Sequence, residues 1–260
     1  HWRMYMREGK AEQLIGEQWD TIPRQDIFLA TKVGWDKGPH SFWYEPDHMI
    51  NNMERSLRNL KTDYVDVMYL HHCNFGNNDE NFDKALETIK RFQEQGKTRF
   101  IGLSDWSCRK IVRYIEKCNP DIVQTYRNIM DDNYTSSGLK KYIDSNNIGI
   151  CFFSPIKHGL LTGKYNSPQT FELGDHRSKI KQFVDKTVIS KMKLNKEILE
   201  KKYSRERNPV MYAIVNALFY NAPTGCVILG QRNKAQVDIA SRLGELLPKE
   251  DSEWIKSLYS

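Results

Sequence analysis

Several side chains capable of proton or phosphate chemistry fall where a short apolar run gives out. Lys32 closes the run Ile27-Phe28-Leu29-Ala30-Thr31. A lysine at a strand end commonly just reaches solvent; beside a phenol it would stabilise the phenolate and lower the phenol's pKa. His71-His72-Cys73 has the composition of a metal cluster. Adjacent residues on a strand point to opposite faces, so these three are not expected to converge on one ion, and no metal site is expected. One histidine at a strand end could orient a carbonyl or relay a proton, and a structural histidine reads nearly as well. Tyr5 precedes Gly9-Lys10-Ala11-Glu12, which opens a helical stretch. The turn Gly230-Gln231-Arg232-Asn233 sets an arginine beside an expected helix N-terminus. That combination suits a phosphate, although surface arginines in loops are common.

The elements that must position these residues alternate along the chain. Strands are expected at residues 27–32, 64–71, 99–103, 121–125, 149–153 and 226–229. Helices are expected at 46–60, 81–95, 108–117, 138–145, 186–203, 209–220, 234–243 and 249–258. In the first helix, Met49, Ile50, Met53, Leu57 and Leu60 recur at spacings of three and four, the helical period. Strands alternating with helices imply a parallel sheet, and no break in composition divides residues 1–260, so one domain is expected. Periodicity alone fits an open doubly wound sheet or a barrel. The open Rossmann sheet wants GxGxxG after its first strand, and none occurs. The barrel puts functional residues at the C-terminal ends of strands. Lys32, His71, Ser104-Asp105, Gln124, Ser154 and the turn at 230–232 all fall at such ends.

Composition narrows the function classes. A net charge of +6 suits an anionic cofactor or substrate, but the basic residues form no dense block that would indicate nucleic acid. Five scattered cysteines without a CxxC pair fit reduced thiols in a cytoplasmic protein better than a disulfide framework. No apolar run is long enough to span a bilayer. Trp35, Phe42, Trp43, Tyr44 and Trp106 fall in expected strand-to-helix loops, where they would make a substrate pocket aromatic.

Read in order, the chain resembles the aldo-keto reductases over essentially its whole length. The resemblance rests on Tyr5 with Gly-Lys-Ala-Glu-Gln-Leu-Ile-Gly at 9–16, and on Ala30-Thr31-Lys32-Val33. It continues through Glu54-Arg55-Ser56-Leu57-Arg58-Asn59-Leu60, Asp63-Tyr64-Val65-Asp66, and Leu70-His71. Gly96-Lys97-Thr98-Arg99-Phe100-Ile101-Gly102-Leu103-Ser104 and Ser154-Pro155 follow. Gly159-Leu160-Leu161-Thr162-Gly163-Lys164-Tyr165 and Ile228-Leu229-Gly230-Gln231-Arg232 complete it.

The resemblance implies an α/β fold, the (β/α)8 TIM barrel of aldo-keto reductase type lacking its first strands, which binds NADP(H) without a Rossmann domain. Tyr5 would be the general acid toward a small-molecule carbonyl substrate, Lys32 would lower its pKa, and His71 would orient the substrate. Ser104, Asp105 and Gln124 would hold the carboxamide, and Phe153 would stack on the nicotinamide. Ser154, Ile156, Lys164 and Arg177 would line the pyrophosphate path, and Gly230, Arg232 and Gln236 would hold the adenosine 2′-phosphate. The family's aspartate would fall before His1. Asp105 stands where asparagine is usual, and Ile239-Ala240 where Glu-Asn is frequent. The resemblance also admits a non-catalytic NADP(H)-binding homologue with a regulatory or interaction role. A barrel with two strands missing has open edges, so self-association into a homo-oligomer is a further expectation.

Overall fold

A computed structural model describes residues 9–260, so Tyr5 lies outside the described residues. The chain divides into two compact units. The first holds residues up to Gln124 together with Asn146–Ile148, and the second holds Thr125–Ser145 and Gly149–Ser260.

In the first unit the elements run α1 (Lys10–Gly16), β1 (Ala30–Val33), α2 (Pro46–Leu60), β2 (Val65–Leu70), α3 (Phe82–Glu94), β3 (Thr98–Asp105) and α4 (Cys108–Cys118). The strand β4 (Ile122–Tyr126) carries the chain into the second unit. There α5 (Leu139–Asn146), β5 (Gly149–Phe153), α6 (Lys186–Lys202), α7 (Pro209–Asn216), β6 (Cys226–Ile228), α8 (Lys234–Ala240) and α9 (Lys249–Tyr259) follow. Hydrogen-bonded strand order is chain order, β1 to β6. The registers of β1 with β2, of β2 with β3, and of β5 with β6 are parallel. Six strands, each succeeded by helix, give the expected α/β fold of barrel type, six of the eight repeats of a (β/α)8 barrel.

All six residues of β2 are buried, as a strand covered on both faces requires. The helix α2 turns Met49, Met53, Leu57 and Leu60 inward at the spacing its sequence shows, and Pro46 starts it where no backbone donor is needed. The second unit packs α6, α7 and α9 through Ile189, Met192, Leu199, Ile214, Val215 and Ile255.

The first strand begins later than residue 27 because residues 24–26 form a 3-10 turn. There the Leu29 N–H donates to the Asp66 carboxylate (2.8 Å) instead of entering the ladder. Asp66 is buried and also receives Arg24 (3.0 Å) and Arg99 (2.9 Å). Burial alone would raise its pKa; the Leu29 N–H and the two guanidiniums outweigh burial and hold it below the ordinary carboxylate value. Such a group contributes stability above its unfolded pKa of about 4 and loses it as pH falls through the lower folded value. Replacing Asp66 by Asn leaves two guanidiniums short of their counter-charge. The expected loss at pH 7 is about 3 kcal/mol in a denaturant titration, shrinking as pH falls below about 4. An unchanged midpoint at pH 7 would remove Asp66 from the account of the fold.

Candidate active site and cofactor groove

In the first unit, register lines up three residues on successive strands: Lys32 opposite Tyr69, and Tyr69 opposite Gly102. A side chain at 102 would meet the Tyr69 ring at 2.2 Å, so the ring lies where only glycine leaves room. The Lys32 ammonium sits over that ring, 5.4 Å from its centre, in cation–π contact.

His71 comes one step past β2, and its backbone N–H still donates to the Val33 carbonyl (2.9 Å). The imidazole is half-buried, and its pKa falls to about 3, first through burial and then through His72 and Lys32. It is therefore neutral at physiological pH and can donate one ring N–H to a carbonyl oxygen without carrying charge. His71 and His72 were expected on opposite faces. Instead their rings stack 4.6 Å apart at 14°, with Trp35 within 5.1 and 5.2 Å of them. The alternation of a strand does not extend to them because β2 stops at Leu70. Among the described residues no group of three or more His, Cys, Asp or Glu could hold a metal ion.

Ser104 and Asp105 end β3 and are buried. One Asp105 oxygen accepts from the Cys73 N–H (2.8 Å) and the other from the Ser107 N–H (2.8 Å). An asparagine could accept only one of those bonds, which is why a carboxylate suits this position. Its oxygens thus tie the loop after β2 to the loop after β3. Gln124, in β4, is buried as well.

The aromatic loop residues divide. Trp35 and Trp106 are exposed, and Phe42 and Trp43 are partly so. Tyr44 is fully buried and is not a pocket residue. Its hydroxyl donates to the His72 carbonyl (2.7 Å) and accepts from the His72 N–H (2.9 Å), filling in for a ladder partner just beyond the strand. Burial raises its pKa well above the ordinary phenol value, so it serves structure rather than acid chemistry.

The second unit holds the rest of the expected residues. Phe153 ends β5, half-buried and edge-on to Tyr126 at 5.8 Å. Ser154 takes a left-handed backbone (φ 59°), and after Ile156 so do Lys157, His158 and Gly159 in succession (φ 45°, 56° and 89°). Three of those four are not glycine, so something must hold them. Lys157 does so: its buried ammonium pairs with Asp131 (2.6 Å), which also accepts from the Tyr126 hydroxyl (2.6 Å). Neither Lys157 nor Asp131 was expected from the sequence. Lys164 is exposed, its ammonium 4.9 Å from the centre of the Tyr165 ring and 3.0 Å from where a β-carbon on Gly159 would stand. Arg177 is engaged with Asp175 (2.6 Å) and lies 4.1 Å over Phe171.

At α8 the Asn233 side chain caps the Gln236 N–H (3.0 Å), and the Gln236 side-chain oxygen accepts from the Arg232 N–H (2.7 Å). This reciprocal cap spends the Gln236 oxygen on the turn and leaves the Arg232 guanidinium exposed. Beside it a cavity of about 480 Å³ is lined by Gly225, Cys226, Val227, Leu229, Val237 and Ala240, among others.

The fold is thus a parallel-strand α/β fold of barrel type, with candidate ligand-facing residues at strand ends. A sequence profile of the Aldo/keto reductase family matches residues 3–259, and the chain belongs to that family. An aldo-keto reductase of Schizosaccharomyces pombe, named with NADP(+), is 32% identical over 193 residues, covering 72% of this chain and 56% of its own. A probable voltage-gated potassium channel subunit beta of Arabidopsis thaliana is 27% identical over 167 residues, covering 61% of this chain and 50% of its own. The chain spans about half the length of the curated relatives it matches. Among solved structures, a glycerol dehydrogenase from Gluconobacter oxydans superposes with a TM-score of 0.78 at 22% identity, covering 96% of this chain and 77% of that one. At that identity the likeness concerns the fold alone.

Two outcomes test the first unit. Gly102→Ala should cost roughly 1–3 kcal/mol and displace the Tyr69 ring; an unchanged melting temperature would show that the Lys32–Tyr69–Gly102 row is not tightly packed. In a proton NMR titration His71 should show no midpoint between pH 5 and 8. The unfolded chain takes up that proton below about 6.5, so His71 lowers stability as pH falls from there toward about 3. A His71 midpoint near 6.5 would contradict its burial.

Proposed function

We propose that the chain serves an NADP(H)-dependent oxidoreductase activity that reduces a small aldehyde or ketone to an alcohol. The observation that carries the reading is the pairing, in one unit, of a lysine at the end of β1 with a histidine held neutral just past β2. A neutral imidazole can hold a carbonyl oxygen by hydrogen bonding without competing for the proton that oxygen must receive.

The residues of the second unit fit a dinucleotide phosphate. The left-handed backbone from Lys157 to Gly159, with Lys164 beside it, resembles a cradle for an anion, and a side chain at 159 would crowd the Lys164 ammonium. His158 Nε2 is buried there without a hydrogen-bond partner. Arg232 is exposed at a capped helix start, and the neighbouring cavity falls in the size range of small-molecule sites, roughly 300–1,000 Å³. In this reading Ser154, Ile156, Lys164 and Arg177 flank the pyrophosphate, Arg177 from its pairing with Asp175. Gly230, Arg232 and Gln236 take the 2′-phosphate end, and Phe153 offers a flat face to the nicotinamide. For Ser104, Gln124 and Asp105 of the first unit a role toward the carboxamide rests on the sequence resemblance alone, Asp105 as an acceptor only. When bound, the cofactor supplies the hydride. Tyr5 supplies the proton to the carbonyl oxygen, an assignment that rests on sequence alone. We also infer a cytoplasmic location from five cysteines that form no disulfide; no helix among the described residues is long and apolar enough to cross a membrane.

The test has two readouts. NADPH should quench tryptophan fluorescence saturably, and Arg232→Ala should weaken that binding about tenfold, the loss of one charge-assisted contact. NADPH consumption with a small aldehyde should fall by roughly 10²–10⁴ in Lys32→Met while cofactor binding stays as it was. Saturable binding with no turnover of any aldehyde or ketone would instead favour the non-catalytic, cofactor-binding role. The similarity to a protein named as a channel subunit gives that role its interest. No binding by the folded chain would sink both.

A further inference from the structure

Four of the five cysteines are buried and one, Cys226, is exposed. Cys226 opens β6 and stands in register with Cys151 of β5, both within the second unit. In a parallel pair, residues in register point to the same face of the sheet, and neighbouring strands lie about 4.8 Å apart. That separation falls inside the roughly 4.4–6.8 Å between α-carbons that a disulfide spans. The two thiols lie within hydrogen-bonding reach, and the bond from Cys151 holds the Cys226 pKa below the ordinary thiol value. Elsewhere burial acts the other way, raising Cys73 well above the usual range and Cys118 to about 12. Exposure and acidity therefore single out the same sulfur, and its partner is already in place.

We propose that Cys226 and Cys151 form a redox-modification site: a thiol pair that closes reversibly to a disulfide between β5 and β6 when it meets a low-molecular-weight disulfide such as oxidised glutathione. The Cys226 thiolate attacks one sulfur of oxidised glutathione, forming a mixed disulfide and releasing one glutathione thiolate. Cys151 then loses its proton to water and attacks the Cys226 sulfur, displacing the second glutathione. Two protein thiols are oxidised and one glutathione disulfide is reduced, the two protons given up by Cys226 and Cys151 ending on the two departing glutathione thiolates. Phe153 lies two residues beyond Cys151 and therefore on the same face, and it is in register with Ile228. The closed bond would tie β6 to β5 directly before the residue offered to the nicotinamide. The site itself does not depend on cofactor binding, so its test stands apart from the proposed reductase activity.

The experiment incubates the native chain with excess oxidised glutathione, blocks remaining thiols with N-ethylmaleimide, and maps the digest by mass spectrometry. Two of five thiols should disappear, the peptides carrying Cys151 and Cys226 should be found joined, and dithiothreitol should restore both. In Cys151→Ser, Cys226 should stop at the glutathione adduct. A stable adduct on Cys226 of the unaltered chain, a bond that draws in Cys73, Cys108 or Cys118, or five thiols left intact would each overturn the proposal.

Discussion

Three parallel strands held in one register are the constraint on which the first unit's chemistry depends. Because Gly102 has no side chain, the Tyr69 ring can lean across β3, and because the ring is there, the Lys32 ammonium rests against a π-face. His71 follows two residues after Tyr69, where the strand has ended but one more ladder bond, from its N–H to Val33, still fixes the backbone. Tyr44 completes the arrangement by bonding both backbone groups of His72. The imidazole is thus set by backbone hydrogen bonds on either side, while burial and the nearby cation keep it uncharged.

The second unit reaches its shape through buried charge that is paired throughout. Arg127 is fully buried between the rings of Tyr134 and Phe152 (4.8 and 4.6 Å). It binds Asp132 with two nitrogens, at 3.0 Å each, and also reaches the Leu218 carbonyl and Asn221. Four steps further on, Asp131 and Lys157 lock the loop after β5. A buried pair such as Arg127–Asp132 is costly to break, by about 3–5 kcal/mol when one partner is removed. The Lys157–Asp131 pair offsets part of the cost of holding three non-glycine residues in left-handed conformations, of order 1–3 kcal/mol each.

The sequence made the strand–helix alternation readable because each buried strand is a short apolar run and each helix carries an apolar stripe at the helical period. Lys32, His71 and Ser104-Asp105 were legible as candidates for the same reason: a polar residue at the end of an apolar run stands out. What lay beyond reach depended on the third dimension. Tyr44 looked like a pocket aromatic, since nothing local shows that its hydroxyl meets the backbone 28 residues later. The stacking of His71 on His72 followed from the point where β2 stops, and strand ends are set by partner strands rather than by propensity. Gly102 was visible only as part of a run, and its purpose, room for Tyr69, belongs to the neighbouring strand. Likewise Asp131, Lys157 and Arg127 gave no periodic signal; a buried charge is recognisable only once its partner is known.

The central claim is that Lys32 and His71 serve hydride transfer to a carbonyl, and isotope transfer tests it most directly. The chain would be incubated with NADPH carrying deuterium at the transferable nicotinamide position and with a small aldehyde, and the alcohol analysed by mass spectrometry. Deuterium is expected on the carbinol carbon of the product, at a rate that collapses in Lys32→Met. Saturable NADPH binding with no label in any product, or label transfer that Lys32→Met leaves untouched, would contradict it.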